Sequence, residues 1–350
     1  MQRIARSFTS ALMSAIVFVA YAYPVALLGA ILLMRYGGVR FWQAELALYL
    51  PRLGFALPLP FLVVLLLALR RRRALWSQLL AAWLVLFPLM GLTLPGWPSS
   101  PDDPTKTLRV LSYNGNFLYG GADAIAAQIL ALAPDIAVLQ QTFGSDELRA
   151  KLAARYSAFA GDGEFFIASR YPVRSQWRPA SFHYGDRLRT ARSIRYELDT
   201  NLGRIALHSF HPISPSDQIL QVRNGGLRRA ILSGALFSLA PRPETEHDTG
   251  LRRRQVAAVA RLAERETLPV ILAGDTNLPK LSGSLTELAQ FQDGFAEAGS
   301  GFGYTFPTRF PWMRIDRIFA SEQLRFLDFE VGAMRASDHH CVVATLELAR

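Results

Sequence analysis

The stretch Pro269–Asn277 places polar side chains directly after a short apolar run. Val270 to Ala273 has the length and composition of a strand that is buried on both faces. Gly274 is then expected to let the chain turn, so that Asp275 and Asn277 stand at the end of this strand. A rigid sheet presents such groups to a ligand, but Asp and Asn also occur in ordinary turns because they form local hydrogen bonds. This stretch alone leaves both interpretations open.

Similar polar residues stand at the ends of other predicted strands. Each one alone has an ordinary structural explanation, such as a turn for Asn114 or an ion pair with Arg314 or Arg317 for Asp316. Together they supply carboxylates, amides and imidazoles, which are the groups that bind hard cations and move protons. The set comprises Asn114, Gln141, His211, Asp275, Asn277, Asp316, Asp338 and His339.

Alternating apolar patterns predict the elements that must position these residues. The predicted helices are 122–132, 145–156 and 251–266. Many strands, few helices and mixed periods indicate an α/β sandwich of two sheets with helices outside. The predicted strands are 108–113, 136–139, 165–168, 193–198, 204–208, 270–273, 315–319, 324–331 and 341–348.

The order of the polar motifs resembles that of the endonuclease/exonuclease/phosphatase superfamily, which has the DNase I-like fold. The resemblance covers residues 108 to 348 and implies a two-sheet α/β sandwich that hydrolyses phosphoesters with the help of a metal. Six motifs carry it: Leu111-Ser112-Tyr113-Asn114, Pro134 to Gln141, Ser209-Phe210-His211, Gly274 to Asn277, Arg314 to Phe319 and Ser337-Asp338-His339.

The resemblance also implies roles for the residues. Asp275 would orient or deprotonate the attacking water, and His339, held by Asp316, would stabilise the developing charge or protonate the leaving group. His211 would be a second catalytic contact to the phosphate. The implied phosphate-binding residues are Asn277 and Asn114, and the implied ligands of Mg²⁺, with Mn²⁺ as the alternative, are Asn114, Gln141 and Asp338.

Gln141 departs from the superfamily pattern, in which the second motif ends in a glutamate that binds Mg²⁺. A glutamine carbonyl can still coordinate a hard cation, but it adds no negative charge. Three functions therefore stay open. The first is a phosphoester hydrolase, the second is a nuclease, and the third is a non-catalytic phosphate- or lipid-binding domain with a degraded metal site.

The distribution of charge argues mildly against nucleic acid as the partner. Nine basic residues and one acidic residue fall before residue 101, so about +8 of the formal net charge of +10 lies there. The remaining 250 residues carry only about +2. A basic surface that would attract nucleic acid is therefore not indicated for the second part of the chain.

The first part of the chain is predicted to be a membrane anchor with three transmembrane helices. Ala11 to Met34, Leu46 to Leu69 and Ala74 to Leu94 are long apolar runs of almost no charge, and about 20 such residues are needed to span a bilayer. The run Arg70 to Arg73 is expected to stay in the cytoplasm. Three spans would then place everything after Leu94 outside it.

These features predict three segments: a membrane anchor at 1–95, a proline-rich linker at 96–107 and the endonuclease/exonuclease/phosphatase domain at 108–350. Three spans followed by such a domain resemble the VanJ-type teicoplanin-resistance membrane proteins. That resemblance implies a multi-pass protein of the bacterial inner membrane with a periplasmic or extracellular domain, and a substrate phosphate that is linked to lipid. The apolar stretch 224–237, with its basic start, is either a surface helix or a lip that touches the lipid bilayer.

Overall fold

The computed structural model describes residues 2–38, 41–96, 100–143, 145–215, 232, 243–333 and 335–349. The chain divides into two compact units. The first unit comprises Met1–Leu92 with Leu281–Gly283, and the second comprises Thr93–Lys280 with Ser284–Arg350. Every predicted site residue belongs to the second unit.

The first unit is helical. Its α-helices are α1 (Gln2–Tyr36), α2 (Trp42–Tyr49), α3 (Pro58–Ala68) and α4 (Leu75–Leu84). Helix α3 begins with Pro58, a position at which the missing N–H of proline costs nothing. A 3₁₀ turn precedes α3 at Arg52–Ala56 and another precedes α4 at Arg72–Ala74, and a π-helical turn follows α4 at Val85–Leu89.

The prediction of three transmembrane helices is wrong. Within the described residues, Ser10–Tyr36 is the one helix that is long and apolar enough to cross a membrane. The second predicted span is broken, because α2 ends before Pro51 and the chain bends by 95° there. The third predicted span is α-helical only over Leu75–Leu84. Even if the bent pair counts as one span, the number of spans is two.

The second unit contains fourteen strands in its described residues. Most are short, and the longest have eight residues. The strands are β1 (Leu108–Asn114), β2 (Ile136–Gln140), β3 (Ala158–Asp162), β4 (Phe165–Ser169), β5 (Val173–Trp177), β6 (Phe182–Tyr184), β7 (Arg187–Arg189), β8 (Ser193–Thr200), β9 (Gly203–Phe210), β10 (Val270–Asp275), β11 (Gln292–Asp293), β12 (Asp316–Ala320), β13 (Leu324–Val331) and β14 (Val342–Leu348).

The strands form two six-stranded mixed sheets and one hairpin. The first sheet has the order β13-β14-β1-β2-β4-β3, and the second has the order β11-β12-β10-β9-β8-β5. At the centre of each sheet two strands are parallel, β1 with β2 and β9 with β10. Strands β6 and β7 pair separately. The predicted two-sheet α/β sandwich is confirmed.

Helices cover the outer faces of the two sheets. Helices α5 (Ala122–Leu132) and α6 (Asp146–Leu152) pack on the first sheet, and α7 (Pro243–Ala263) packs on the second. Between the sheets, alternate residues of facing strands form one apolar core that includes Val110, Val138, Ile271 and Ile318. The period-two alternation puts the other residues of the same strands against the helices. A short helix α8 spans Gly294–Ala298.

Gly274 does not form the turn that the sequence suggested. Strand β10 continues through Gly274 to Asp275, and the residue with a positive φ is Asn277, at 51°. Glycine is required at position 274 for a different reason. A Cβ atom there would lie 1.9 Å from the carbonyl oxygen of Phe210 in the neighbouring strand β9. The predicted lip at 224–237 lies outside the described residues except for Leu232.

Candidate active site

Asp275 lies at the centre of the candidate site, at the carboxyl end of β10. Its side chain is almost fully buried, with 2% exposure. Oδ1 accepts a hydrogen bond of 2.9 Å from the backbone N–H of Asn277, and Oδ2 accepts one of 3.0 Å from the side-chain amide of Asn114. Asn114 ends β1, a central strand of the other sheet, so this bond joins the two sheets at the carboxyl ends of β1 and β10.

His339 forms one wall of the site and is held by Asp316. Nδ1 of His339 lies 2.9 Å from Oδ2 of Asp316, the first residue of β12. The backbone N–H of His339 donates to the hydroxyl of Ser337, and that hydroxyl donates to the backbone oxygen of Asn114 at 2.8 Å. The ring of Phe306 covers the imidazole, with 4.7 Å between the ring centroids. These contacts fix the orientation of His339.

His211 forms the opposite wall and is held by Glu164, a residue that the sequence did not single out. Nδ1 of His211 lies 2.7 Å from Oε2 of Glu164. The same carboxylate accepts two hydrogen bonds of 2.9 Å from Nη2 of Arg192. Glu164 sits in the tight turn between β3 and β4. Because β3 was not among the predicted strands, this hairpin and its partly buried carboxylate could not be located from the sequence.

Both imidazoles point their second nitrogen at the same oxygen. Nε2 of His211 lies 3.6 Å from Oδ2 of Asp275, and Nε2 of His339 lies 3.7 Å from it. These distances exceed those of direct hydrogen bonds. A water molecule or a phosphoryl oxygen bound beside these atoms would be within reach of two imidazole nitrogens and one carboxylate.

The net effect of burial and charge is to raise the pKa values of both Asp275 and His339. Burial raises the pKa of Asp275 above its ordinary value, and Asp316 adds to this effect, although His339 and His211 oppose it. Burial by itself would lower the pKa of His339, but the charges of Asp316 and Asp275 outweigh it and raise the pKa to about 9. His339 is therefore an imidazolium at neutral pH, and both of its nitrogens are donors.

Arg314 and Arg317, the ordinary ion-pair partners considered for Asp316, bind another carboxylate. Nη1 of Arg314 lies 2.8 Å from both oxygens of Asp293, and Nη1 of Arg317 lies 2.7 Å from Oδ2 of Asp293. These contacts leave Asp316 paired with His339. The backbone N–H of Asp316 donates to the hydroxyl of Thr305 at 3.3 Å, which holds the backbone of Asp316 in place.

The remaining predicted residues lie at the same edge but make other contacts. Gln141 follows β2 with a φ of 53°, and its backbone carbonyl oxygen accepts a hydrogen bond of 2.8 Å from Phe117 N–H. Asn277 donates its side-chain amide to the carbonyl of Pro212 at 3.0 Å. Asp338 is exposed, and its Oδ1 lies 3.3 Å from the hydroxyl of Ser337.

The site offers suitable donors for a divalent cation. Asp275, Asp316 and His339 each present one ligand atom, and these three atoms lie within 4.8 Å of one another. Because His339 is protonated and bonded to Asp316, the carboxylate of Asp275 suits a cation better than the imidazole does. Oxygen ligands of this kind are preferred by Mg²⁺ and Mn²⁺. The donor set therefore fits a hard divalent ion, without identifying it.

Comparison of the sequence with known protein families identifies a family. The sequence profile of the "Endonuclease/Exonuclease/phosphatase family" matches residues 111–339. A comparison with curated protein sequences finds no match.

Solved structures of similar fold share little sequence with this chain. An endonuclease/exonuclease/phosphatase from Beutenbergia cavernae is 19% identical over 70% of this chain and 72% of its own, with a TM-score of 0.49. TDP2 from D. rerio, complexed with a single-strand DNA product, is 18% identical over 69% and 99%, with a TM-score of 0.49. The beta toxin of Staphylococcus aureus is 16% identical over 68% and 99%, with a TM-score of 0.48. At this level of similarity they add nothing to the family match.

Proposed function

Because the chain belongs to the endonuclease/exonuclease/phosphatase family, we propose that it is a metal-dependent phosphoester hydrolase that acts at a membrane surface on a lipid-linked phosphate. The observation that carries the proposal is the convergence of two carboxylate-held imidazoles on Oδ2 of Asp275. A merely structural cluster has no need to leave this oxygen facing two imidazole nitrogens that are too distant to bond it.

Each residue of the site has its own role in phosphoester hydrolysis. Asp275, with its raised pKa, is suited to accept a proton from the attacking water, which it also orients. The imidazolium of His339 stabilises charge on the phosphoryl oxygens and then donates its Nε2 proton to the leaving oxygen. His211 contributes a second Nε2 contact to the phosphate, and Asn114 and Asn277 are proposed to help hold it.

A divalent cation, when bound, would supply positive charge to the phosphoryl oxygens. Asn114, Gln141 and Asp338 are the residues proposed to hold it, beside Asp275. An amide at position 141 predicts weak metal binding, because hard cations prefer charged oxygen ligands. The same amide is the observation that favours the second candidate function, a phosphate- or lipid-binding domain without catalysis.

The surface of the first unit supports its proposed place in a membrane. Its large apolar side chains face outward in numbers that water does not tolerate on a soluble protein. We propose that Ser10–Tyr36 spans the bilayer, that the other helices of this unit lie in contact with lipid, and that residues 96–107 link it to the catalytic unit. The exposed side chains are Leu12, Phe18, Val19, Tyr21, Val25, Leu28, Leu32, Leu33, Tyr36, Leu53, Leu57, Phe61, Val64, Leu65, Leu67, Trp76, Leu79, Leu80, Trp83 and Leu86.

A substrate panel with the full chain in detergent micelles tests the proposal. The panel contains a lipid phosphomonoester, a lipid phosphodiester, single-stranded DNA and a soluble nitrophenyl phosphodiester, each with Mg²⁺, with Mn²⁺ and with a chelator. We expect metal-dependent hydrolysis of a lipid phosphoester that is lost in Asp275→Asn. Faster hydrolysis of DNA would identify a nuclease instead. Binding of a lipid phosphate without turnover on any substrate would identify the binding domain.

A further inference from the structure

Three exposed aromatic rings stand together on two loops beside the active site. Phe117 and Tyr119 follow β1, and Phe143 follows β2. The rings of Phe117 and Phe143 are stacked, with centroids 5.8 Å apart and planes 9° apart, and the ring of Tyr119 lies 5.7 Å from that of Phe117. Their exposures are 45% for Phe117, 82% for Tyr119 and 51% for Phe143. These three residues are called the aromatic platform.

The backbone that carries the platform is strained. Asn116, Phe117 and Leu118 are three consecutive non-glycine residues with positive φ, at 44°, 55° and 59°. Such conformations are costly for residues with a Cβ atom and persist only where the surroundings impose them. A strained loop that presents exposed apolar rings is not explained by core packing, because the rings contribute little burial where they stand.

Hydrogen bonds tie the platform to the catalytic residues. The backbone N–H of Asn116 donates to the side-chain oxygen of Asn114 at 3.0 Å, and the N–H of Phe117 donates to the carbonyl of Gln141 at 2.8 Å. On the second loop, the N–H of Thr142 donates to the carbonyl of Glu164 at 3.2 Å. The platform is therefore held in register with Asn114 and Glu164, the residues that support Asp275 and His211.

Exposed aromatic residues concentrate at this edge of the second unit. Among its described residues, five aromatic side chains are exposed: the three of the platform, Trp177 and Phe310. Phe310 follows Phe306, the residue whose ring covers His339, by four positions in the same loop. Four of the five therefore lie on loops that also hold active-site residues.

We infer that the aromatic platform docks onto the lipid bilayer and brings the active site to phosphoester headgroups. This inference rests on the proposed function and names the surface through which that function meets its substrate. Phe and Tyr rings that project from a surface insert at the boundary between headgroups and acyl chains. The span proposed at Ser10–Tyr36, a candidate by length and composition, would keep a bilayer within reach of this chain.

The charge of the two loops favours lipid over single-stranded nucleic acid. Proteins that stack nucleobases on aromatic rings combine those rings with a basic groove for the phosphates. Gly115 to Gly120, Thr142 and Phe143 carry no charged side chain. The whole of residues 101–350 has a formal net charge of only about +2. Uncharged loops with exposed aromatic rings fit the bilayer interface.

The test places an environment-sensitive fluorophore on the platform of the full chain. The variant Tyr119→Cys is labelled with a nitrobenzoxadiazole dye and reconstituted into vesicles of phosphatidylethanolamine and phosphatidylglycerol, with and without brominated acyl chains. The single natural thiol does not interfere, because Cys341 is buried and burial raises its pKa to about 12. A second label at Phe143→Cys keeps the test independent of one substitution.

The matched control is Leu348→Cys. Leu348 is 43% exposed and ends β14, which runs antiparallel to β1 with Leu346 opposite Leu108. It therefore lies at the end of the first sheet that is remote from Asn114. We expect blue-shifted emission that is quenched by brominated lipid at positions 119 and 143, and water-like, unquenched emission at position 348.

Two results would overturn the inference. One is water-like emission at positions 119 and 143 in all vesicles. The other is an emission shift at 119 with a single-stranded oligonucleotide and none with vesicles, which would assign the platform to nucleic acid. The outcome is separable from that of the hydrolase proposal. Insertion without turnover on any phosphoester would support the docking surface and contradict the hydrolase proposal. Turnover without insertion would support the hydrolase proposal and contradict the docking surface.

Discussion

Nδ1 of His211 lies 2.7 Å from Oε2 of Glu164, a carboxylate 47 residues earlier in the chain. The pair mirrors His339 and Asp316, in which the corresponding distance is 2.9 Å. Burial would raise the pKa of Glu164, but His211 and Arg192 outweigh it and lower the pKa. The glutamate is therefore ionised at neutral pH and is a strong acceptor for the imidazole N–H.

The substitution Glu164→Gln should lower kcat about 10- to 100-fold, because it weakens the orientation and the charge of His211, and outer residues of this kind act through their neighbour. Glu164→Asp should retain more activity than Glu164→Gln. The measurement is steady-state hydrolysis, with the pH profile recorded for each variant. Glu197→Gln, which alters the pairs of Glu197 with Arg204 and Arg195, is the control. Equal activity of Glu164→Gln and this control would show that Glu164 has no role in catalysis.

The substitutions Asp275→Asn and His339→Ala should each reduce turnover by about a hundred- to ten-thousand-fold, as expected for general acid–base groups. Circular dichroism should show an intact fold for both. His340→Ala is the matched control for the second, because His340 is the adjacent histidine and no role is proposed for it. Near wild-type turnover in both variants would mean that the site is misassigned.

The substitution Gln141→Glu separates the two candidate functions. A carboxylate at this position should tighten Mg²⁺ binding and raise turnover at limiting Mg²⁺, because hard cations prefer charged oxygens. In a binding domain without a cation, the new charge beside Asp338 should only lower the melting temperature. Mg²⁺ titrations of hydrolysis and of melting distinguish these results, with Gln176→Glu on the exposed strand β5 as the control.

The substitution Asp293→Asn should destabilise the catalytic unit by about 3 kcal/mol. This value is near the lower end of the stability loss that follows when a buried ion pair is broken, because the Asp293 side chain is still 21% exposed. Arg317, which is 1% exposed, would lose its carboxylate partner. Urea unfolding of the full chain measures the loss. Asp199→Asn, which removes an exposed pair with Arg174, should cost no more than about 1 kcal/mol.

The same residue predicts a dependence of stability on pH. Burial would raise the pKa of Asp293, but Arg314 and Arg317 outweigh it and lower the pKa from 3.8 to about 2. A carboxyl with a depressed pKa contributes stability above its unfolded pKa and loses it as the pH falls through the folded one. The unfolding free energy should therefore fall between about pH 4 and pH 2, and Asp293→Asn should lack this component. An identical acid response in both proteins would contradict the assignment.

The side of the membrane stays a prediction that a fusion can test. Three spans would put the exposed run Arg70 to Arg73 inside the cytoplasm and residues 101–350 outside it. With Ser10–Tyr36 as the one proposed span, both lie on the same side of the membrane, and we expect that side to be outside because Arg3 and Arg6 precede the span. A reporter active only in the exported compartment, fused after residue 350, should be active. Activity of a cytoplasmic reporter alone would place the catalytic unit inside.

The sequence predicted the catalytic fold better than the membrane unit. Helix α5 has the bounds that its apolar period predicts, and the motif residues do lie at strand ends, because short apolar runs between polar residues identify buried strands. Hydropathy measures composition rather than continuity, so it missed the 95° bend between Tyr49 and Arg52. Glu164 was missed because β3 is only half-buried and lacks a clear alternation.

The close approach of Gly274 to Phe210 limits the distance between His211 and Asp275 in the active site. With no side chain between them, the backbones of β9 and β10 touch directly, and this contact determines how far His211 can lie from Asp275. Gly274→Ala would place a methyl group 1.9 Å from an oxygen of Phe210, so the strands would have to part. The width of the gap that receives a phosphoryl oxygen is therefore set by contact between main-chain atoms rather than by the size of neighbouring side chains.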